Sequence, residues 1–181
     1  MSKKRTSEQV EKAGAEMERF STDNAYVWSF GNEFLVVCPR CQKRAVVKAL
    51  QKESLPEARI SCSNCGYSKD WHRESHGVLF TQNRDAFSKG VIGIGDAVDW
   101  YFHHPLWLQE KCCGEVLWAY NHDHLEWLRS FVSATLRERK QRENHGWSNQ
   151  ALASRLPRWI SQANNRRPIL AAISKMEKRL R

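Results

Sequence analysis

Phe34-Leu-Val-Val-Cys-Pro-Arg-Cys41 and Arg59-Ile-Ser-Cys-Ser-Asn-Cys-Gly66 decide how this chain is read. Each holds a Cys-x2-Cys pair, Cys38 with Cys41 and Cys62 with Cys65, and 20 residues lie between the pairs. A tight turn between paired cysteines lets both sulfurs point at one ion, and two such turns complete a closed tetrahedral shell of four thiolates. The spacing therefore predicts one structural Zn2+ held by Cys38, Cys41, Cys62 and Cys65, with no position open for a reacting water. Such an ion contributes folding free energy rather than catalysis.

Outward from the pairs, short β-branched and aromatic runs bounded by Gly, Pro and polar residues read as strands: Tyr26 to Phe30, Glu33 to Val37, Arg44 to Leu50, Ala58 to Ser61 and Gly77 to Thr81. Each cysteine pair follows a strand. That arrangement resembles the zinc-ribbon family over residues 26–81, and the resemblance implies a small antiparallel sheet with the four cysteines as ligands. The match departs from the fullest motif at Gln42, where the second pair has Gly66. A position behind the turn that needs positive φ is cheap for Gly alone, so Gln42 predicts strain or a differently shaped first turn.

The 181 residues, 41% of them apolar and eight of them Trp, are enough for a real core plus a small metal-stapled module. No apolar run approaches the roughly 20 residues of a bilayer span, and Met1-Ser-Lys-Lys-Arg-Thr6 leads into a polar stretch. A soluble, cytoplasmic protein is expected, in which six cysteines favour metal ligation over disulfides. The net charge of +9 is uneven: residues 129–181 hold 13 basic against three acidic side chains, while 81–128 hold three against seven. A concentrated positive field attracts polyanions, and solvated helix faces rich in Arg and Lys are the plainer account of it.

The fold class expected is α+β, with three parts: an N-terminal helical arm (1–24), a ribbon (25–82), and an aromatic-rich α/β segment with basic C-terminal helices (83–181). Val10, Ala13, Met17 and Phe20 make a narrow stripe on the arm. Gly90-Val-Ile-Gly-Ile-Gly95 reads as a connector, and Phe87 to Trp127 as aromatic core. Leu106-Trp-Leu108 and Val116 to Tyr120 read as strands flanking Cys112-Cys113-Gly114. Asp123 with Glu126 resembles a capping box for a helix from about His124 to Arg142. Ser148 can cap a second helix, which Pro157 kinks or ends near Leu156. A last helix starts around Pro168, with Ile169, Leu170, Ile173, Met176 and Leu180 as its stripe. The stretches Pro105-Leu-Trp-Leu-Gln109, Cys112-Cys-Gly114, Leu117-Trp-Ala-Tyr-Asn121 and Ser154-Arg-Leu-Pro157 resemble bacterial zinc-ribbon-containing proteins without an assigned function, which implies a shared domain and no activity.

Two further metal or catalytic patterns fall short. Cys112 and Cys113 with His103, His104, His122 and His124 have the chemistry for a second zinc site but irregular spacing; buried reduced thiols are the plainer account. His124-Leu-Glu126 resembles the His-x-Glu of zinc deaminases, but there the cysteine pair follows it, whereas here the pairs come first. No catalytic residue is assigned and a non-enzymatic role is expected. Arg137, Arg139, Lys140, Arg142, Arg155, Arg158, Arg166 and Arg167, with Arg40, Lys43, Arg44 and Lys48 around the first pair, are the candidate contacts to DNA or RNA phosphates. The alternative is a protein-interaction adaptor in a larger assembly.

Overall fold

The computed structural model describes residues 19–21, 25–50, 57–74, 76–81, 83–134, 136–138 and 152–181. Its centre is an antiparallel sheet of β2 (Glu33–Val37), β3 (Arg44–Ala49), β4 (Ala58–Ser61) and β5 (Ser68–Trp71), hydrogen-bonded in that order. The sheet is two hairpins side by side, and the register pairs Val37 with Arg44 and Ser61 with Ser68. Because β3 pairs antiparallel with β4, Val46 opposite Ser61, both hairpin tips emerge at the same end of the sheet. The antiparallel ribbon and the C-terminal helices make the α+β class expected.

β2 is buried on both faces because it has neighbours on all sides. Phe34 and Val36 enter one core with Val47, Ile60, Trp71, Trp100 and Tyr120, while Leu35 enters a second with Leu108, Leu117, Leu128 and Ile173. Its free edge is closed by the 105–107 stretch and Tyr120: Val37 N donates to Pro105 O (2.8 Å), Trp107 N to Leu35 O (2.8 Å) and Leu35 N to Tyr120 O (2.8 Å). The ribbon thus shares its core with the second half of the chain. Most of the dense aromatics fill that core, as in the edge-on packing of Phe34 against Tyr120 at 5.2 Å.

The flanking elements include several corrections to the sequence-based expectations. Val27–Phe30 is a 3-10 turn rather than a strand. The glycine-rich 90–95 stretch is no mere connector: it contains β7 (Ile92–Ile94), whose three residues are buried and which pairs parallel with β6 (Val78–Phe80). Phe20, assigned to the arm helix, lies in β1 (Arg19–Ser21), which pairs parallel with β10 (Leu136–Glu138). The rest of the arm stripe lies outside the described residues. β8 (Leu108–Cys112) and β9 (Glu115–Ala119) form the expected hairpin around Cys113-Gly114, as a separate two-stranded sheet.

Helix α1 (His122–Ser133) is capped by Asn121, not Asp123. Asn121 Oδ1 accepts from His124 N (2.9 Å) while its Nδ2 donates to Phe30 O and Glu33 O, tying the helix start to the start of β2. α1 also stops at Ser133, well short of Arg142: Ala134 is extended, and the chain pairs as β10 from Leu136. Leu136, which continues the helical period in sequence, belongs to that strand. Pro157 separates the short α2 (Leu152–Arg155) and α3 (Arg158–Ser161), as a residue without an N–H should. α4 (Arg166–Lys178) tolerates Pro168 in its first turn and buries Ile169, Ala172, Ile173 and Met176 at helical spacing. It packs on α1 and β8, where the Arg129 guanidinium grips Glu177 at 2.6 and 2.7 Å.

Candidate metal centre

The hairpin topology brings the two cysteine pairs together, and the four Sγ atoms lie within 4.8 Å of one another. Cys38 Sγ is 3.8 Å from Cys65 Sγ, and Cys41 Sγ is 3.6 Å from Cys62 Sγ. A tetrahedron with metal–sulfur bonds of about 2.3 Å has edges of about 3.8 Å, which these two opposite edges match, and all four sulfurs lie close enough to share one ion. Cys38 and Cys62 are buried, and Cys41 and Cys65 are half-buried. Soft thiolates in this shape suit a tetrahedral thiophilic ion.

The two turns are built alike. In the first, Cys38 N donates to Lys43 O (2.8 Å) and Gln42 N to Cys38 O (3.0 Å); in the second, Cys62 N donates to Tyr67 O (2.8 Å) and Gly66 N to Cys62 O (2.9 Å). Gln42 has φ 60° and Gly66 φ 70°, so the first turn keeps the same shape and Gln42 bears the strain of the left-handed region. Among the possibilities left by the sequence, strain is the outcome.

Electrostatics support ligation at these sulfurs. The Lys43 backbone N–H, opposed by burial and aided by Cys65, Cys62 and Asn64, holds the Cys41 thiol down at about 6. At Cys65 the Tyr67 backbone N–H pulls downward, but burial and the sulfurs of Cys41, Cys62 and Cys38 outweigh it and push the thiol up to about 12. Crowded thiols resist ionising together, and a bound cation removes that repulsion.

Cys112 and Cys113 lie apart from this cluster, with their Sγ atoms 3.3 Å from each other. Among the described residues no His, Asp or Glu completes a metal-binding group with them. The four histidines proposed for a second site are distributed differently: His103 stacks on Phe87, His104 on Phe102, His122 sits beside Asp123, and His124 stacks on Phe30.

The nominated basic residues divide. Arg40, Lys43 and Arg44 are exposed around the first turn, and Arg44 Nη1 donates to Leu180 O (3.2 Å), just beyond α4. Arg158 and Arg167 are exposed. Lys48 pairs with Glu33 at 3.5 Å, Arg155 lies over the Phe80 ring, and Arg166 donates to Ala134 O (2.9 Å). Arg137 is in β10, while Arg139, Lys140 and Arg142 lie outside the described residues. Lys178, Arg179 and Arg181 are not among those nominated; they flank Leu180, whose carbonyl accepts from Arg44, a tertiary contact with no local sequence signal. Among the basic C-terminal residues, Trp159 is half-buried against the second core. Among the described residues no helix is long and apolar enough to cross a membrane. Comparison of the chain with protein-family models, curated proteins and solved structures finds no match.

Proposed function

We propose that this chain is a non-enzymatic zinc-ribbon protein that binds nucleic acid through phosphate contacts, with Zn2+ holding the ribbon. One bond supports the second part most directly: Arg44 to Leu180 O joins the basic first turn to the end of the basic α4. On this reading Arg40, Lys43 and Arg44 contact phosphates together with the exposed Lys178 and Arg181 that flank Leu180, while Arg179 is held by Glu110 and the Gln109 carbonyl. Four thiolates would fill a tetrahedral shell and leave no position for a reacting water, which favours a scaffold role for the ion.

Binding to duplex DNA and to RNA is measured across a salt series. With Arg179 held by Glu110, the five remaining cations, Arg40, Lys43, Arg44, Lys178 and Arg181, give a slope of log K against log salt of about −4.5 on DNA. The double variant Arg40→Gln/Lys43→Gln lowers that slope by about two contacts, while Arg158→Gln/Arg167→Gln leaves it unchanged. Absence of binding at low salt rejects the proposal. Elemental analysis of the purified chain tests the metal, with one zinc per chain expected.

A second reading, an interaction adaptor, is favoured by one observation. Trp28 (52% exposed) and Phe80 (48% exposed) meet edge to face at 5.6 Å, with Val78 also exposed. Large exposed aromatics in contact are a common mark of a protein-docking surface. A protein recovered with the wild-type chain after nuclease treatment, and lost with Trp28→Ser, would favour the adaptor over the phosphate reading.

A further inference from the structure

The turn of the β8–β9 hairpin has two consecutive left-handed residues, Cys113 at φ 57° and Gly114 at φ 82°. Such a turn asks for Asn, Asp or Gly at its first position, and a cysteine there is conformationally costly. The cost places Cys113 Sγ 3.3 Å from Cys112 Sγ, closer than two sulfurs that merely pack. The two thiols differ sharply in surroundings. Cys113 is exposed at the hairpin tip, whereas Cys112 is buried in the core that also contains Ile169, Ala172, Ile173 and Met176 of α4.

We propose that Cys112 and Cys113 are a vicinal dithiol that undergoes reversible disulfide formation, with small-molecule disulfides as the oxidant class. The accessible Cys113 thiolate attacks one sulfur of the incoming disulfide; an S–S bond forms to Cys113 and the first small thiolate leaves. Cys112 then loses its proton and attacks Cys113 Sγ, the second small thiolate leaves, and the protein disulfide is formed. Two protein thiols are oxidised, one small disulfide is reduced to two thiols, and the two protons from the cysteines end on those thiols. Burial, with the neighbouring Cys113, pushes the Cys112 thiol up to about 11, which assigns the first attack to Cys113 and the resolving step to Cys112.

The product is built to be reversible. Adjacent Cα atoms across a trans peptide are about 3.8 Å apart, below the about 4.4 Å minimum of an ordinary disulfide, so the eight-membered ring is strained and easily reduced. Its formation also draws Cys112 from its place in the core. Glu110, two residues back on β8, binds both Lys175 and Arg179, so the change occurs beside the contacts that seat the end of α4.

The test uses the full chain with its metal, exposed to graded ratios of oxidised to reduced glutathione, then alkylated and mapped by mass spectrometry. The peptide containing Cys112 and Cys113 is expected to lose two hydrogen atoms, resist alkylation, carry no glutathione and recover on reduction with dithiothreitol. Metal content is read in parallel, so that oxidation at the four-cysteine cluster registers as metal loss. In Cys112→Ser the glutathione adduct on Cys113 persists for want of a resolving thiol, and in Cys113→Ser the remaining buried thiol stays unmodified. If Cys112→Ser fails to fold, the wild-type map decides alone. The proposal is overturned if the wild-type chain accumulates the Cys113 adduct with Cys112 still alkylatable, or if both thiols remain alkylatable under fully oxidised glutathione.

Discussion

His124 gives this fold a specific acid sensitivity. The ring is 2% exposed, stacks on Phe30 at 4.8 Å and is surrounded by Trp118, Tyr120 and Trp127. Its Nδ1 accepts from the Tyr120 backbone N–H (3.3 Å), which fixes the proton on Nε2, and Nε2 is buried without a hydrogen-bond partner among the described residues. An imidazolium would set an Nδ1–H against the Tyr120 N–H and add an unpaired charge in the core. Burial accordingly lowers the folded-state pKa to about 3. Since the folded value lies below the unfolded one of about 6.5, this group's stabilisation is complete above pH 6.5 and is lost as pH falls toward 3. The full loss is about 5 kcal/mol, and at pH 5.0 the loss is about 2 kcal/mol. His124→Phe keeps the aromatic packing and removes the titration, at the cost of leaving the Tyr120 N–H unpaired, about 1 kcal/mol. Urea unfolding followed by Trp fluorescence should place the variant about 1 kcal/mol below wild type at pH 7.5 and about 1 kcal/mol above it at pH 5.0. Asp99, whose raised pKa acts with the opposite sign, and the cysteine cluster titrate in both proteins and cancel in the difference. A gap between the two proteins that stays constant from pH 7.5 to 5.0 would falsify this account of His124.

Three other outcomes follow from the geometry. Gly66→Ala meets nothing within 4 Å, so its cost is backbone strain alone, about 1 kcal/mol, and Gln42→Gly should gain a similar amount by relieving the same strain; Tm shifts of about 3 °C in opposite directions are the readout. Asp99 is fully buried and accepts from the backbone N–H groups of Tyr101, Phe102 and His104 at 2.9, 2.8 and 2.7 Å, so Asp99→Ala orphans three donors and should cost about 3 kcal/mol in urea unfolding; a loss too small to measure would show that water replaces the carboxylate. Glu110→Gln removes the anion shared by Lys175 and Arg179, and amide exchange in residues 176–180 should accelerate severalfold at low salt, with the effect shrinking in high salt.

What could be read from the sequence was whatever a local pattern determines. The cysteine spacing, the strands leading into Cys38 and Cys62, and the stripe of α4 depend on nearest neighbours along the chain, and all three are present in the fold. β5 was missed because Ser68-Lys-Asp-Trp71 has a single large apolar residue; it is a strand because the second cysteine turn folds the chain back on β4, as the first turn folds β3 on β2. The end of α1 was missed because Leu136 keeps the helical period, while pairing with β1 takes the chain instead. The run Tyr26 to Phe30 has strand-like composition, yet it closes on itself as a 3-10 turn, with Ser29 N donating to Tyr26 O and Gly31 N to Trp28 O, and buries Val27 and Phe30. Each of these misses is a tertiary contact overriding a local preference.

The same distinction governs the charge. By sequence, all 13 basic side chains after residue 128 count alike toward an external field. In the fold, Arg129 is paired with Glu177 and Lys175 with Glu110, which offsets part of their charge, while Arg166 donates to the neutral Ala134 carbonyl and keeps its charge. Arg179 is intermediate: it binds Glu110 and the Gln109 carbonyl yet stands next to Leu180, which Arg44 touches. Carboxylate pairing thus offsets part of the positive charge at Arg129, Lys175 and Arg179, and leaves Lys178 and Arg181 exposed around the end of α4. There the cations also face the negative pole of the helix, which holds them in place without neutralising them as a carboxylate would. On the proposed function, a polyanion would meet Arg40, Lys43 and Arg44 beside the end of α4, where Arg44 touches Leu180. On that proposal the four cysteines act on the basic surface through the hairpin between β2 and β3, whose turn carries Cys38 and Cys41 together with Arg40, Lys43 and Arg44.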